Sequence, residues 1–378
     1  MTPDPSAASD SDDLPAPVRQ VSVCAPGRLH LGFLDPAATL GRRFGSLGLV
    51  LDDWCTEVVL AAADGPDDEF SADGPAAEAE LPRAREHLQA MKLRTGQPAA
   101  LHLHLARVLP AHAGFGSGTQ LALAVGRAFA RWHQLSLSTA TLAHGLGRGL
   151  RSGIGIAGFD QGGLLLDGGP DPAGQPAPLL SRLPLPAAWR VLLVQDPSRR
   201  GLSGAQERQA LARLAPLSQA QSAELCHQTL MQVLPGAANG DFRAFASGLS
   251  RIQTLLGEHF APAQDGEAYT SPAVGRLMRW LAAHADAASG GPAGIGQSSW
   301  GPTAFAIVAS QAQAQALVAA AEAAGQVPAG LRLSIGAARN EGAKVVDSTA
   351  PESRGLRHAS AESLWRWAQP GSTPWRTH

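Results

Sequence analysis

Residues 110–119 read PAHAGFGSGT, and the chain continues directly into QLALAVGRAFARW. The stretch before it, ALHLHLARV at residues 100–108, alternates apolar and polar side chains, as a half-buried strand does. In the stretch after it, apolar side chains recur every three or four residues, which predicts one buried helix face. The predicted order is therefore strand, glycine turn, helix.

A glycine turn that opens a helix can hold an anion, because the first helical turn presents unpaired N–H groups and the positive end of the helix dipole. Gly114, Gly116 and Gly118 allow the backbone to approach a phosphate closely. The hydroxyls of Ser117 and Thr119 are suited to a phosphate oxygen or a Mg²⁺ ion. Plain connectors of this type are also common, so the motif alone leaves both interpretations open.

Composition limits the class of protein. The chain has 378 residues, of which 44% are hydrophobic, enough for two domains with cores of their own. The formal net charge is −2, so no general positive field exists to hold nucleic acid or a membrane surface. Three widely spaced cysteines and the absence of an export leader or a long apolar run predict a cytoplasmic protein.

Proline and glycine content divides the chain. Residues 1–18 are acidic and nearly free of large apolar side chains, which predicts a disordered tail. The proline-rich stretch at 168–187 predicts a boundary between domains at 19–186 and 187–347. Residues 348–378 are expected to be peripheral. Strands alternate with helices in both domains, which is typical of an α/β or α+β fold of packed layers.

Two more segments accompany the glycine turn: APGRLHLGFLD before it and GIGQSSWGPTAFAIV after it. In order and spacing, the three segments resemble the three motifs of the GHMP superfamily of small-molecule kinases, and three ordered matches are far more specific than one. The resemblance implies a GHMP-kinase-like two-domain α/β sandwich with the phosphate loop between its domains.

The resemblance to a kinase fails at one important place. Kinases of this superfamily that use a carboxylate base carry it in a Ser-Gly-x-Asp segment, but here Ser152-Gly153-Ile154 is followed by Gly155. An aspartate, Asp160, follows five residues later. Since phosphoryl transfer depends on positioning the nucleophile and the metal, the glycine in place of this aspartate weakens the kinase interpretation. An ATP-dependent kinase acting on a small alcohol stays the alternative, and a binding protein without activity is the third hypothesis.

The details resemble instead the β-ribofuranosylaminobenzene 5′-phosphate synthases, a branch of the same superfamily. The Gln-Ser-Ser-Trp-Gly-Pro run is the most specific element of this resemblance. The segments that carry it are GRLHLG at 27–32 with Asp35, GFGSGTQ at 114–120, RSGIG at 151–155 with Asp160, RGLSG at 200–204, GQSSWGP at 296–302, and Asn340 with Gly342-Ala343.

This resemblance implies a reaction. The family joins phosphoribosyl pyrophosphate to 4-hydroxybenzoate or p-aminobenzoate in tetrahydromethanopterin biosynthesis, releasing pyrophosphate and CO₂ and forming a carbon–carbon bond. The ring itself takes up the electrons of the departing CO₂, so no pyridoxal phosphate is expected. Mg²⁺ is expected at Ser117 and Thr119. The oligomeric state is left open, with a homodimer among the forms allowed.

Site roles follow from the same resemblance. The loop at 114–119 with Arg28, Arg199 and Arg200 would stabilise the departing pyrophosphate. Either Asp160, His30 or Asp35 would act as the acid or base, His30 being attractive because a neutral imidazole accepts a proton near pH 7. The expected ring pocket has an apolar wall of Trp300 and Phe159 and a polar edge of Gln297, Ser298 and Ser299.

Structural interpretations compete with several of these roles. His30 can be a structural histidine beside the Pro26-Gly27 turn, Asp160 can brace the glycine turn that follows it, and Trp300 can simply fill the core. His102 and His104 have metal-ligand spacing, but without a neighbouring His or Cys cluster they are better explained as one face of a strand.

Overall fold

The structure, a computed structural model, describes residues 18–171, 176–202, 204–288 and 291–350. The predicted tails fall almost wholly outside these ranges, at residues 1–17 and 351–378. The strands are β1 (Val18–Asp35), β2 (Phe44–Ala62), β3 (Glu69–Ala72), β4 (Leu101–Arg107), β5 (Leu164–Asp167), β6 (Leu179–Leu183), β7 (Arg190–Gln195), β8 (Gly294–Gln297), β9 (Thr303–Val308), β10 (Arg332–Gly336) and β11 (Lys344–Ala350).

Helices occupy most of the remaining described chain. A π-helical turn at Thr229–Val233 and two short 3₁₀ turns, Ala261–Ala263 and Asp286–Ala288, connect some of them. The α-helices are α1 (Gly74–Glu78), α2 (Leu81–Thr95), α3 (Ser117–Trp132), α4 (Thr139–Gly145), α5 (Ile154–Gln161), α6 (Gly204–Arg213), α7 (Gln219–Gln228), α8 (Leu234–Asn239), α9 (Phe242–Phe260), α10 (Pro272–His284) and α11 (Gln311–Ala323).

Two sheets organise the described residues. The first has the strand order β11-β1-β2-β4-β3, and β5 pairs with β2 and carries β6. The second has the order β10-β7-β9-β8. The chain passes from the first sheet to the second between β6 and β7, at the predicted boundary, but β11 returns and pairs antiparallel with β1. The arrangement is the expected α+β fold.

A shared core fixes the two halves against each other. Leu29 and Leu49 of the first sheet, Phe305 of the second and Phe245 of α9 belong to one cluster of buried side chains. A second cluster packs α2 and α3 on the other face of the first sheet, and a third packs α10 and α11 on the second sheet. The glycine turn lies where the first two clusters meet, so its position is set by both halves.

The glycine turn follows β4 and opens α3, as predicted. The predicted buried face of α3 is confirmed, since Leu121, Val125 and Phe129 are at most 2% exposed. The first strand continues through Ala25-Pro26-Gly27, although proline and glycine weaken a strand interior. It runs through this segment with a β-bulge between Pro26 and Arg28, because a bulge accommodates an irregular residue without ending the pairing with β2.

In the part of the chain that the structure describes, no helix is both long enough and apolar enough to span a membrane.

Candidate active site

The glycine loop, residues 114–119, bends through two glycines in left-handed conformation. Gly114 has φ +94° and Gly116 has φ +74°, values that favour glycine. The N–H groups of Thr119 and Gln120 donate to the carbonyl of Gly116 at 3.0 and 3.1 Å. Helix geometry leaves the N–H groups just before them, at the very start of α3, for an external acceptor. The loop therefore has the geometry of an anion site.

A buried serine from the third motif braces this loop. The Ser298 hydroxyl accepts from the N–H of His30 at 2.9 Å and donates to the carbonyl of Gly114 at 2.7 Å. Arg28 donates to the same carbonyl through Nη1 at 2.9 Å, and its N–H donates to the carbonyl of Phe115 at 3.1 Å. All three motifs thus meet at the glycine loop.

One group of polar side chains lies on the β1 side of the loop, and we call Arg28, His30, Arg151 and Glu207 the inner cluster. Nη2 of Arg151 and Oε2 of Glu207 form an ion pair at 2.8 Å. The Arg28 guanidinium lies against Gly116 of the loop, since a Cβ atom at Gly116 would lie 3.1 Å from Cζ of Arg28. Three buried nitrogen atoms of the inner cluster have no hydrogen-bond partner among the described residues: Nε of Arg28, Nε2 of His30 and Nη1 of Arg151.

His30 is a neutral hydrogen-bond donor in this arrangement. Its Nδ1 accepts from the N–H of Gly32 at 3.2 Å, so the ring proton is on Nε2. Burial, and then the positive charges of Arg28 and Arg151, hold the pKa of His30 well below its usual value. The expected role of His30 as a proton acceptor does not fit this tautomer, because the unpartnered Nε2 already carries the proton.

The arginine next to it keeps its charge. Burial lowers the pKa of Arg28 to about 10, and the carboxylate of Glu207 opposes this shift. Arg28 is therefore still a cation at neutral pH. The inner cluster holds two cations, one anion and one neutral donor.

A second group lies at the start of α3, and we call Arg83, His87 and Arg148 the outer cluster. A Cβ atom at Gly118 would lie 2.5 Å from Nη2 of Arg83 and 3.4 Å from Nη1 of Arg148. Nε of Arg148 is buried without a partner. Burial and the neighbouring charge of Arg83 lower the pKa of Arg148. Both guanidinium groups therefore converge on the first turn of the helix.

His87 supports the outer cluster as an acceptor. Its Nε2 lies 3.4 Å from Nη2 of Arg148, which can only donate. Burial and the charges of Arg148 and Arg83 lower the pKa of His87 to about 4, so the ring is neutral near pH 7. Arg83 also forms an ion pair with Glu80 at 2.8 Å.

Gly155 lies beside the loop, at the place where the resemblance puts the carboxylate of a kinase. A Cβ atom at Gly155 would lie 3.2 Å from Cγ2 of Thr119, and the carbonyl of Gly155 accepts from the Gln120 side chain at 2.9 Å. The position is thus close to the loop but contributes no side chain.

The structure does not bring Asp160 to the glycine loop. Its Oδ1 accepts from the hydroxyl of Thr139 at 2.5 Å, and Arg127 donates to the same hydroxyl at 2.7 Å. Asp160 is five residues beyond Gly155, the residue of α5 that faces Thr119, which at 1.5 Å per residue is about 8 Å along the helix. In this structure Asp160 therefore makes a contact between helices, and its expected catalytic role stays a prediction.

Asp35 also has a local structural role. Its two carboxylate oxygens accept from the N–H groups of Thr39 and Leu40 at 2.9 and 2.6 Å. The residue is 4% exposed and closes the turn that follows β1. With both oxygens engaged by the backbone, Asp35 is poorly suited to act as an acid or base.

The third motif makes internal contacts behind the loop. The Gln297 side chain accepts from the N–H of Thr270 at 2.7 Å and donates to the carbonyl of Ser299 at 2.9 Å. Trp300, 3% exposed, packs against Phe260 with ring centroids 4.7 Å apart, and Phe159 belongs to the core beneath α3. These contacts make the motif a brace in this structure, and the expected wall and polar edge of a ring pocket stay a prediction.

Arg199 and Arg200 begin a loop whose backbone reaches the glycine loop. The N–H of Gly201 donates to the carbonyl of His112 at 3.0 Å. The Arg199 guanidinium points elsewhere, donating to the carbonyl of Thr270 at 3.3 Å, and both arginines are exposed. The contact to the loop is therefore made by the backbone, and the charge at the loop comes from other arginines.

Sequence reasoning assigned no role to five residues of the site: Arg83, His87, Arg148, Arg151 and Glu207. Arg151 stands directly before the Ser152-Gly153 segment, a signal that could have identified it. The other four lie in helices or turns without a motif, and only the packing of those elements brings them to the loop.

A metal site built from protein ligands is not evident. Among the described residues, no group of three or more His, Cys, Asp or Glu side chains is placed to hold an ion. His102 and His104 both bond to Ser71 Oγ, at 2.8 and 2.9 Å, as neighbours on one strand face. At the glycine loop the arginine charges would repel a free Mg²⁺ ion, so Ser117 and Thr119 do not by themselves form a site for it.

Sequence comparison agrees with this architecture. The profile of the GHMP kinases N terminal domain matches residues 83–164, and the profile of the GHMP kinases C terminal domain matches residues 233–327. A β-ribofuranosylphenol 5′-phosphate synthase of Archaeoglobus fulgidus is 33% identical over 299 residues, which cover 76% of this chain and 87% of that protein. This chain belongs to the β-ribofuranosylphenol 5′-phosphate synthase family.

The synthase of the same name from Methanothermobacter thermautotrophicus is 30% identical over 304 residues, covering 77% of this chain and 89% of that protein. Membership confirms the prediction of an enzyme from this branch of the superfamily.

Solved structures show the same fold. Homoserine kinase from Cytophaga hutchinsonii superposes with a TM-score of 0.59 at 17% identity, covering 91% of this chain and all of that one. Mevalonate diphosphate decarboxylase from Staphylococcus aureus gives 0.61 at 14% identity, with 87% and 98% covered. At such identities the likeness concerns the fold alone, and the GHMP-kinase-like sandwich is confirmed.

Proposed function

We propose that this protein is a decarboxylating phosphoribosyltransferase that joins phosphoribosyl pyrophosphate to 4-hydroxybenzoate, releasing pyrophosphate and CO₂ in tetrahydromethanopterin biosynthesis. One observation carries the proposal: arginines flank the glycine loop on both sides, while the position of a kinase base is Gly155. The site is thus equipped to hold phosphate groups and poorly equipped to activate an alcohol. The relatives are named for a ribofuranosylphenol product, which favours 4-hydroxybenzoate over p-aminobenzoate.

The start of α3 is suited to the pyrophosphate. When the bond from C1′ of the ribose to pyrophosphate breaks, the electron pair leaves with the pyrophosphate and its negative charge grows. Backbone N–H groups at the helix start, with the guanidinium groups of Arg83 and Arg148, favour this growing charge. Because these donors are already in place, little reorganisation is needed during the reaction.

The ring carbon that carries the carboxylate then forms the new bond to C1′. As it does so the phenol loses its proton and the ring becomes a dienone. The bond to the carboxylate breaks next, CO₂ leaves, and the two electrons of that bond restore the aromatic ring, which regains a proton on oxygen. The ring is therefore its own electron sink, and pyridoxal phosphate has no part in these steps.

We further propose that Mg²⁺ enters bound to the pyrophosphate. In that case the substrate's oxygens offset the repulsion from the arginines, and the hydroxyls of Ser117 and Thr119 become available as additional ligands. We also propose that the protein is cytoplasmic and forms a homodimer.

The decisive assay follows labelled CO₂. The protein is incubated with phosphoribosyl pyrophosphate, Mg²⁺ and carboxyl-labelled 4-hydroxybenzoate or p-aminobenzoate. We expect CO₂ release that depends on phosphoribosyl pyrophosphate and is faster with the hydroxy acid. Absence of release with both acids, together with ATP consumption in the presence of a small alcohol, would replace this proposal by the kinase. No turnover in either assay would favour a binding protein.

A further inference from the structure

The inner cluster contains hydrogen-bond donors that nothing in the described protein satisfies. Nε of Arg28, Nε2 of His30 and Nη1 of Arg151 are buried without partners, and His30 as a whole is only 4% exposed. Leaving a buried donor unpaired is unfavourable, and more so for a charged group. Three such donors in one cluster indicate a place for a ligand that accepts hydrogen bonds.

The chemistry of the donors selects the ligand. Two guanidinium groups and one neutral N–H match an oxyanion with several oxygens and more than one negative charge, which is a phosphate group. The carboxylate of the aromatic acid is a poor occupant, because cations that stabilise it in the ground state would oppose the loss of CO₂.

The two clusters differ in a way that divides the phosphate groups of the ribosyl donor. The outer cluster lies at the positive end of α3 and suits a group whose negative charge grows, the pyrophosphate. The inner cluster carries a carboxylate of its own, Glu207, paired with Arg151 at 2.8 Å. It suits a group whose charge stays constant through the reaction, the 5′-phosphate.

We propose that Arg28, His30 and Arg151 bind the 5′-phosphate of the ribosyl donor, and that Glu207 on α6 is an internal counter-ion that weakens this binding. The inference rests on the proposed function for the identity of the donor. Glu207 neutralises part of the cluster when no ligand is bound, and it repels the phosphate that takes the free donors. Its replacement by Gln keeps the shape and the contact to Arg151 while removing the charge.

Calorimetric titration with two probes, ribose 5-phosphate and inorganic pyrophosphate, tests this division. We expect Arg151→Gln to weaken ribose 5-phosphate binding at least tenfold and to change pyrophosphate binding less than twofold. Arg148→Gln is expected to show the opposite pattern. Glu207→Gln should tighten ribose 5-phosphate binding about tenfold.

The matched control is Glu224→Gln, which removes the same charge from a surface ion pair with Arg251 and should change neither affinity. Circular dichroism of each variant checks that it is folded. Wild-type protein that binds pyrophosphate but not ribose 5-phosphate would overturn the inference, as would an unchanged or weaker affinity in Glu207→Gln. Because these titrations need no turnover, a negative CO₂ assay would overturn the proposed reaction and leave the phosphate site standing.

Discussion

The inner and outer clusters flank the same loop but are built in different ways. The inner cluster joins β1 to the turn before α5 and to α6 of the second half, whereas the outer cluster comes from helices and turns of the first half alone. Their histidines act in opposite senses. His30 accepts from the backbone and offers Nε2–H, while His87 accepts from Arg148. Each cluster has one arginine paired with a carboxylate, but the inner cluster has buried unpartnered donors beside β1, whereas the outer cluster lies at the start of a helix.

This difference shows how one loop can bind two phosphate groups, one whose negative charge grows during the reaction and one whose charge stays constant. A site for a group of constant charge tolerates a nearby carboxylate, which limits the cost of holding two cations together in the empty protein. A site for a leaving group gains from the positive end of a helix, because the stabilisation then grows as the bond breaks and negative charge develops. The following experiments either sharpen this distinction or remove it.

The largest effect is expected from a pair of arginine substitutions. Arg28→Gln should lower kcat/KM for phosphoribosyl pyrophosphate by about a hundredfold or more, because a buried charged donor is lost together with the bond to the carbonyl of Gly114. Arg83→Gln should lower it by about tenfold, since Arg83 is 30% exposed and solvent can partly replace it. Steady-state kinetics of both variants, with Arg28→Lys as the charge-preserving control, measures the ratio. Equal losses would contradict a buried inner and an accessible outer cluster.

The second effect concerns pH and the outer cluster alone. The pKa of His87 is about 4 in the folded protein and about 6.5 in the unfolded chain. As the pH falls from 6.5 towards 4, the unfolded state takes up a proton that the folded state does not, so the protein is destabilised. The full effect is about 3 kcal/mol. Urea unfolding of wild type and His87→Gln across this range measures it.

The control for this experiment is the difference between the two proteins at pH 7.5, where His87 is neutral in both states. The difference in free energy of unfolding between wild type and His87→Gln should change with pH only below pH 6.5. Parallel curves down to pH 4 would show that His87 is not held neutral by Arg148 and Arg83.

A third comparison uses the glycines that face each cluster. Gly116→Ala should destabilise the protein by about 1–2 kcal/mol, because φ is +74° there and the new methyl group meets Arg28. Gly118→Ala should change stability by less than about 1 kcal/mol, since the backbone is helical and only the flexible end of Arg83 must move. Thermal unfolding compares them. A larger loss for Gly118→Ala would mean that Arg83 is held as rigidly as Arg28.

The smallest effect on turnover is expected from a substitution outside both clusters, at Asp160. Asp160→Asn should leave kcat within about twofold and lower stability by about 1 kcal/mol, because it weakens the bond to Thr139 that ties α5 to α4. Activity and urea unfolding are measured on the same preparation, with Thr139→Val as the matched variant from the other side of the bond. A loss of kcat of tenfold or more in Asp160→Asn alone would show that Asp160 takes part in the reaction.

Sequence reasoning reached the fold and the loop because their signals are local. Alternation in β4, the glycines at 114–118 and the periodic apolar face of α3 all depend on neighbours within a few residues. It also identified the third motif but could not assign its contacts. The pattern around Trp300 is the same in a segment that lines a pocket and in one that braces the loop from behind.

The rest of the site depends on contacts between distant segments. No rule links Arg83 of α2 to Arg148 beyond α4, since packing against α3 alone brings their guanidinium groups together. The tautomer of His30 is fixed by the N–H of Gly32, and the bulged register of β1 decides where that N–H points. Neither feature can be predicted from the spacing of residues in the sequence.

Ser298 has a consequence for the order in which the enzyme is made. Its hydroxyl completes the hydrogen bonding of Gly114, although 184 residues separate the two in the chain. At a synthesis rate of about 5–20 residues per second, the glycine loop emerges from the ribosome on the order of 10–40 s before its brace exists. During translation the phosphate site thus cannot mature until most of the second half has been made, and a nascent chain that already contains the whole loop has yet to acquire a braced one.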